Sequence, residues 1–254
     1  MRDFVALVEA LDASNSTTDK IAALREHFRG ASSADCAWSI YFLAGGKPRR
    51  LVPTRLLRAA AHEASGVSEW MFAECYESVG DLAETIALLL PEPAVKSDFG
   101  GLSRWMRERV LALRGLAAPQ CIAALRSYWA ELDARERFVF NKLITGGLRL
   151  GVSRQLALRA LAEAFSLDTR VLAQRIIGYT DAAHEPGEEA FSRLIAPEGS
   201  AQSSSLPYPF FLAHSWDEAR QGEVRASDWL AEWKWDGIRA QILRRGASLA
   251  IWSR

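Results

Sequence analysis

Cysteine, histidine and methionine are scarce in this 254-residue chain, at three, four and three copies. The cysteines (Cys36, Cys75 and Cys121) are odd in number and far apart, each among apolar residues of helical pattern. That argues for reduced, buried thiols and against a disulfide framework or a zinc site. The histidines (His27, His62, His184 and His214) lack metal-ligand spacing. An excess of either charge is also missing, since 31 Lys and Arg balance 31 Asp and Glu. No apolar run approaches the ~20 residues that cross a bilayer. The N-terminus, MRDFVALVEALDAS, mixes acids with apolar residues, unlike a cleavable signal. A cytoplasmic protein without a membrane role is expected.

What is present fits a globular chain with a real core. Hydrophobic residues make up 49% and charged residues 24%, ordinary values at a length that allows more than one domain. The balanced charge is unevenly spread. Residues 47–58 hold Lys47, Arg49, Arg50, Arg55 and Arg58 with no acid, and residues 126–175 hold nine bases against five acids. Residues 69–98 hold seven acids and one lysine, and residues 181–198 five acids and one arginine. Segregation of this kind lets a neutral protein offer a positive face to a polyanion, although solvated helix faces produce the same pattern.

Residues 1 to about 195 read as about eleven helices with short connections. Phe4, Leu7, Val8 and Leu11 share one helical face. Ser16, Ser68, Asp81, Asp133, Ser153 and Asp168 stand where helices would be capped. Pro53 and Pro119 open helices, Gly66 closes one, and Gly45-Gly46 and Gly146-Gly147 stop two others. Ser103 begins a helix running through Trp105, Met106, Val110 and Leu113. Residues 197–208, within PEGSAQSSSLPYP, read as a linker between a helical domain at 1–196 and a second domain beginning at 209. Residues 229–236 alternate, and residues 238–244 and 248–252 flank a hairpin turn at Arg245-Gly246. The fold class is therefore mainly α, followed by the first strands of an α/β domain.

Two stretches carry chemistry. In AEWKWDGIRAQ (231–241), alternation puts Trp233 and Trp235 toward a core and Glu232, Lys234 and Asp236 toward a pocket. A lysine becomes a nucleophile when cations or desolvation lower its pKa. Gly237 permits a tight turn and close approach of a ligand, and Arg239 supplies a phosphate-binding cation. In GGLRLGVS (146–153), a helix ends, Leu148 and Leu150 plug the core, Arg149 points outward, Gly151 allows close approach and Ser153 caps the next helix. Free backbone N–H groups, a helix dipole and an arginine together suit a phosphate, with Lys142 and Arg154 flanking them. GGKPRR (45–50) is either a second phosphate contact or a solvated basic loop.

EWKWDGIRAQ resembles the nucleotidyl-lysine motif of ATP-dependent DNA ligases, which RNA ligases and mRNA capping enzymes share. Ser253-Arg254 resembles the next family motif. PFFLAHSWDEA (209–219) is similar to the segment that opens the adenylation domain. NKLITGGLRLGVSRQLALRAL (141–161) is similar to the signature of the preceding helical DNA-binding domain. The resemblance implies a bacterial-type layout with an incomplete adenylation (nucleotidyltransferase) domain at 209–254. It implies that Lys234 takes AMP from ATP, that Glu232 recognises adenine, and that Arg239 and Arg254 contact ribose, phosphate or nicked DNA. Asp236 and Gly237 shape the motif. By the same resemblance, Lys142, Arg149, Gly151, Ser153 and Arg154 would hold nicked duplex DNA through phosphates, for a protein expected to act as a monomer. Magnesium is the implied metal, with ligands outside these 254 residues, so the chain is expected to be an N-terminal portion that binds DNA but is inactive by itself. An RNA ligase or capping-type nucleotidyltransferase, and a non-catalytic DNA-binding module, remain alternatives.

Overall fold

A computed structural model describes residues 1–48, 51–93, 100–180, 185–197, 207–208, 227, 233 and 235–253. The chain divides into two compact units, Met1–Glu198 and Gly199–Arg254. The first unit is helical and the second carries one antiparallel hairpin, the mainly α arrangement expected from the sequence.

Six of the described helices start where a short polar side chain satisfies a first-turn N–H group; Ser68, expected as a cap, makes no such bond. Helices α1 (Arg2–Ala13), α2 (Thr17–Gly30) and α3 (Ser33–Leu43) form the opening layer. Ser16 Oγ accepts from the Asp19 N–H, and Ser32 Oγ from the Asp35 N–H. Each cap of this kind is worth about 1 kcal/mol. Helix α4 (Thr54–Ser65) follows Pro53 and ends at Gly66, and α5 (Glu69–Val79) follows Ser68. Asp81 caps α6 (Leu82–Leu89) through the Glu84 N–H. Asp133 and Glu136 form a reciprocal capping box on α9 (Ala134–Thr145), whose C-terminus closes on Gly146. Ser153 caps α10 (Arg154–Phe165) and Asp168 caps α11 (Thr169–Arg175). Helix α8 (Ala118–Glu131) carries Pro119 in its first turn, and α12 (Glu188–Leu194) is a short acidic-fronted helix that the sequence reading did not separate.

The helix expected from Ser103 to Leu113 is broken into three pieces. Helix α7 (Leu102–Trp105) passes into a π-helical turn (Met106–Val110) and then a 3-10 turn (Leu111–Leu113). Trp105, Met106, Val110 and Leu113 are all buried. Trp105 and Val110 are five residues apart, the hydrogen-bond spacing of a π turn, so widening the helix there turns both inward where a regular helix would splay them. The start is held from outside, because Asp35 accepts the Ser103 N–H at 2.7 Å.

The core runs through α1, α2, α3, α7, α8 and α9, with Phe4, Phe28, Trp105, Trp129 and Phe140 among its largest fully buried side chains. Trp105 meets Phe140 edge-on at 5.7 Å. Trp129 donates its indole N–H to Asn141 Oδ1 at 2.9 Å, so neither polar group is orphaned. Arg137 is buried as well. Its guanidinium donates to the carbonyls of Trp129 (2.9 Å) and Leu90 (3.0 Å) and also to that of Pro91. It thereby fixes the chain leaving α6 against α8 and α9, and its burial lowers its pKa.

In the second unit, β1 (Ala240–Arg245) pairs with β2 (Ser248–Ser253), with Arg245 opposite Ser248. Gly246 takes φ +61° at the first of the two loop positions, the residue type that a tight hairpin needs there. The hairpin lies where the sequence placed it.

Candidate nucleic-acid interface

The loop from Gly146 to Val152 is built as its sequence suggests. Leu150 is buried, Leu148 is half-buried against the core, and Arg149 between them is exposed. Gly151 has φ +59°, a conformation that a side chain would strain. Ser153 Oγ then accepts the Leu156 N–H at 3.1 Å and starts α10. The side chains of Arg149 and Arg154 make no hydrogen bond or ion pair to any other described residue. Partial burial lowers the Arg154 pKa from its ordinary value.

The sequence did not mark out Lys20. Its ammonium, on α2, donates to the Gly151 carbonyl at 2.9 Å, 131 residues away in sequence. Further along the same two helices, Arg29 donates to the carbonyls of Glu163 and Ala164. Lys20 beside residue 151 and Arg29 beside residue 163 mean that α2 and α10 run in the same sense. Their N-termini therefore face one end of the unit, and their dipoles add to the charges of Lys20, Arg149 and Arg154 there. Asp19, in the first turn of α2, is an exposed acid at that end.

The GGKPRR segment also reaches this loop. The Leu51 N–H donates to the Ile144 carbonyl at 3.4 Å, and the Pro48 carbonyl lies against Gly146. Gly46 is required for the turn, because a Cβ there would stand 2.6 Å from the Tyr41 ring and carbonyl. Lys47 is exposed. Arg49 and Arg50 lie outside the described residues. Two basic segments that are separate in sequence are thus neighbours in space.

Lys142 is differently placed. Its ammonium forms an ion pair and a hydrogen bond with Asp81, the cap of α6, and lies 5.2 Å from the Phe138 ring centre. Burial pushes the Asp81 carboxyl up. The Lys142 hydrogen bond and charge and the N–H groups of Glu84 and Ala83 outweigh that and hold it below its ordinary value. Lys142 is therefore committed to joining α9 to α6 rather than pointing freely outward.

Of the lysine motif, Glu232 and Lys234 lie outside the described residues, as does Arg254 of the following motif. Trp233, Trp235, Asp236, Gly237 and Arg239 are exposed and precede β1. The two tryptophans were expected to face a core, and this is corrected: they are 85% and 83% exposed. The described residues from 233 to 239 are not in a strand, so the period-two rule behind that expectation does not operate on them. The cysteine expectation also needs one adjustment. All three thiols are free, but only Cys36 and Cys121 are buried, and Cys75 is half-buried. Burial pushes the Cys36 thiol up to about 12, with Asp35 adding to the effect. No helix among the described residues is long and apolar enough to cross a membrane.

Similarity to known proteins bears on the same residues. A probable DNA ligase of Koribacter versatilis is 27% identical, over 97% of this chain and 43% of the relative. A probable DNA ligase of Opitutus terrae is 24% identical over 99% of this chain and 32% of the relative. DNA ligase 2 of Methanosarcina mazei is 25% identical over 100% of this chain and 48% of the relative. The chain thus spans a third to a half of the length of these relatives. The family model described as DNA ligase N terminus matches residues 1–162, a stretch that takes in the Lys20–Gly151 contact, Arg149 and the start of α10, and the chain belongs to that DNA ligase family.

Proposed function

We propose that residues 1–196 form a domain that grips duplex DNA by its phosphates, and that the chain is the N-terminal part of an ATP-dependent enzyme that seals nicks in the cytoplasm. The observation that carries this reading is the meeting of Lys20, Arg149 and Arg154 at the N-termini of α2 and α10, with Lys47 on the adjoining loop. Cations and backbone N–H groups so placed hold phosphate oxygens. Contacts of this kind set register and orientation and read no base sequence, as an enzyme acting on any nick requires. Gly151 and Ser153 shape the loop, and Lys142 stiffens it from behind through Asp81.

For the second unit the reading rests on the sequence motif and on the ligase names of the relatives. Lys234 attacks the α-phosphorus of ATP: an N–P bond forms, the P–O bond to pyrophosphate breaks, and the ammonium proton is lost first. AMP then passes to the 5′-phosphate at the nick, and the 3′-hydroxyl displaces it. Glu232 contacts the adenine, Arg239 and Arg254 contact the ribose or phosphates, and Asp236 and Gly237 shape the turn. Magnesium would neutralise phosphate charge. Among the described residues no three His, Cys, Asp or Glu come together to hold a metal ion.

Two measurements test the reading. Fluorescent duplex titrated with residues 1–196 at two salt concentrations should bind more weakly at the higher one, as counterion release demands. Binding that ignores salt, or none at low salt, sinks the DNA assignment. The full-length protein given α-labelled ATP and magnesium should become labelled, and Lys234→Ala should abolish the label. Undiminished label on that variant means another nucleophile.

A further inference from the structure

We propose that the open groove between α5 and α6 docks a basic amphipathic helix of a partner protein. The surface is unlike the rest of the helical unit. Helix α5 buries a single residue, Phe72, and leaves Trp70 and Met71 exposed at 67% and 42%; Leu88 on α6 is 64% exposed. Between the two helices lies a groove of about 330 Å³ lined by Glu74, Cys75, Ser78 and Val79 of α5 and by Thr85, Leu88 and Leu89 of α6. Met71 stands one turn before Cys75 on the same helical face, so it extends the apolar strip along α5.

Charge decides what fits there. Residues 69–93 contain six acids and no lysine or arginine. Glu69, Glu74, Glu77 and Glu84 are exposed, and none of them makes an ion pair with another described residue. A groove with Glu74 in its lining, between two helices that carry three more exposed glutamates and no lysine or arginine, disfavours nucleic acid and the anionic face of a membrane. A second copy of the chain is disfavoured too, because a two-fold contact would set like charges against each other. The complement is a segment with aliphatic or aromatic anchors flanked by lysines and arginines. A groove between two helices accepts such anchors at i, i+3 or i+4, and i+7, the spacing of one helical face. This inference is independent of the DNA assignment, which concerns other residues and the opposite charge.

The test is selection from a random library of roughly 16-residue peptides, four to five helical turns, panned against the 254-residue chain. Selected peptides should combine two or three large apolar residues at helical spacing with flanking Lys or Arg. Leu88→Glu, and separately Glu74→Lys with Glu77→Lys, should each weaken a selected peptide about tenfold, the scale of losing one interface anchor. Both substitutions are at exposed positions, and unchanged circular dichroism shows that the variants fold. The peptide should also slow alkylation of Cys75, the half-buried thiol in the groove wall. A library that yields no cationic amphipathic binder overturns the proposal, as does binding that survives Leu88→Glu. Sedimentation showing a dimer that Leu88→Glu dissociates would make the groove a self-contact and overturn it equally.

Discussion

The Lys20 ammonium donates to the Gly151 carbonyl at 2.9 Å, tying the first turn of α2 to the loop that carries Arg149. One lysine thereby does two things: it adds positive charge beside Arg149, and it holds a glycine-containing loop in the shape that presents that arginine.

Loss of either cation should weaken DNA binding without altering sequence preference. Arg149→Ala is expected to lower affinity several-fold on every duplex and to reduce the salt slope by about 1, the value for one phosphate contact. Lys20→Ala should weaken binding at least as much, because the loop loses its tether as well as a charge. Lys20→Met keeps the side-chain length and removes the donor, so it should resemble the alanine variant. Titrations of labelled duplex at several salt concentrations decide this. A Lys20 variant with normal affinity shows that the contact is a passive strut.

Lys142 should behave differently from Arg149. Its ammonium is committed to Asp81, so its removal is expected to cost stability more than DNA affinity. A double-mutant cycle with Lys142→Ala and Asp81→Ala, read by urea unfolding, should give a coupling of about 1 kcal/mol once the partial exposure of Asp81 is allowed for. A coupling near zero, with a DNA defect as large as that of Arg149→Ala, returns Lys142 to the phosphate-binding set.

His27 gives the helical unit a pH dependence. Its Nε2 lies 2.8 Å from Ser39 Oγ. Burial lowers its pKa below the ordinary 6.5, and Asp3 and Asp35 only partly offset that. The unfolded chain therefore takes up a proton near pH 6.5 while the folded chain does not. Stability contributed by His27 is full above that pH and is lost as the pH falls below it. The urea midpoint should drop between pH 7.5 and 5.5, and His27→Gln should flatten that drop. An equal drop in the variant assigns the effect to carboxylates.

The legible parts of the fold were the local ones. Ser16, Asp81, Asp133, Ser153 and Asp168 accept N–H groups only two or three residues ahead, so each helix start was written within four or five letters. The hairpin at Gly246 was legible for the same reason. The π turn at Met106 was not, because it depends on how Trp105 and Val110 pack against distant helices. Nor was Lys20 as a partner of Gly151, or Asp81 as a partner of Lys142, since both contacts join residues far apart in the chain. The outward-facing tryptophans were misread because alternation fixes faces only where a strand exists.

The last expectation concerns adenylation by residues 1–254 alone, which should be negligible beside that of the full-length protein. A lysine attacks phosphorus only when its ammonium is made easy to deprotonate, through desolvation or neighbouring cations. Trp233 and Trp235, on either side of Lys234 in sequence, are each more than four-fifths exposed, and Ile238, Ile242, Leu249 and Ile251 are also exposed. Apolar side chains in that state supply no dry pocket. Of the groups that the motif assigns to the site, Glu232 and Asp236 are acids that favour the protonated lysine, which leaves Arg239 and Arg254 to oppose them. Labelled ATP and magnesium given to both proteins in parallel make the comparison. Limited proteolysis should cut the 254-residue chain within 235–253, where Trp235, Ile238, Ile242, Leu249 and Ile251 are exposed, and leave the helical unit intact. Strong self-labelling by the 254-residue chain would show that its own residues complete the site, and that exposure of the hairpin is no bar to activating Lys234.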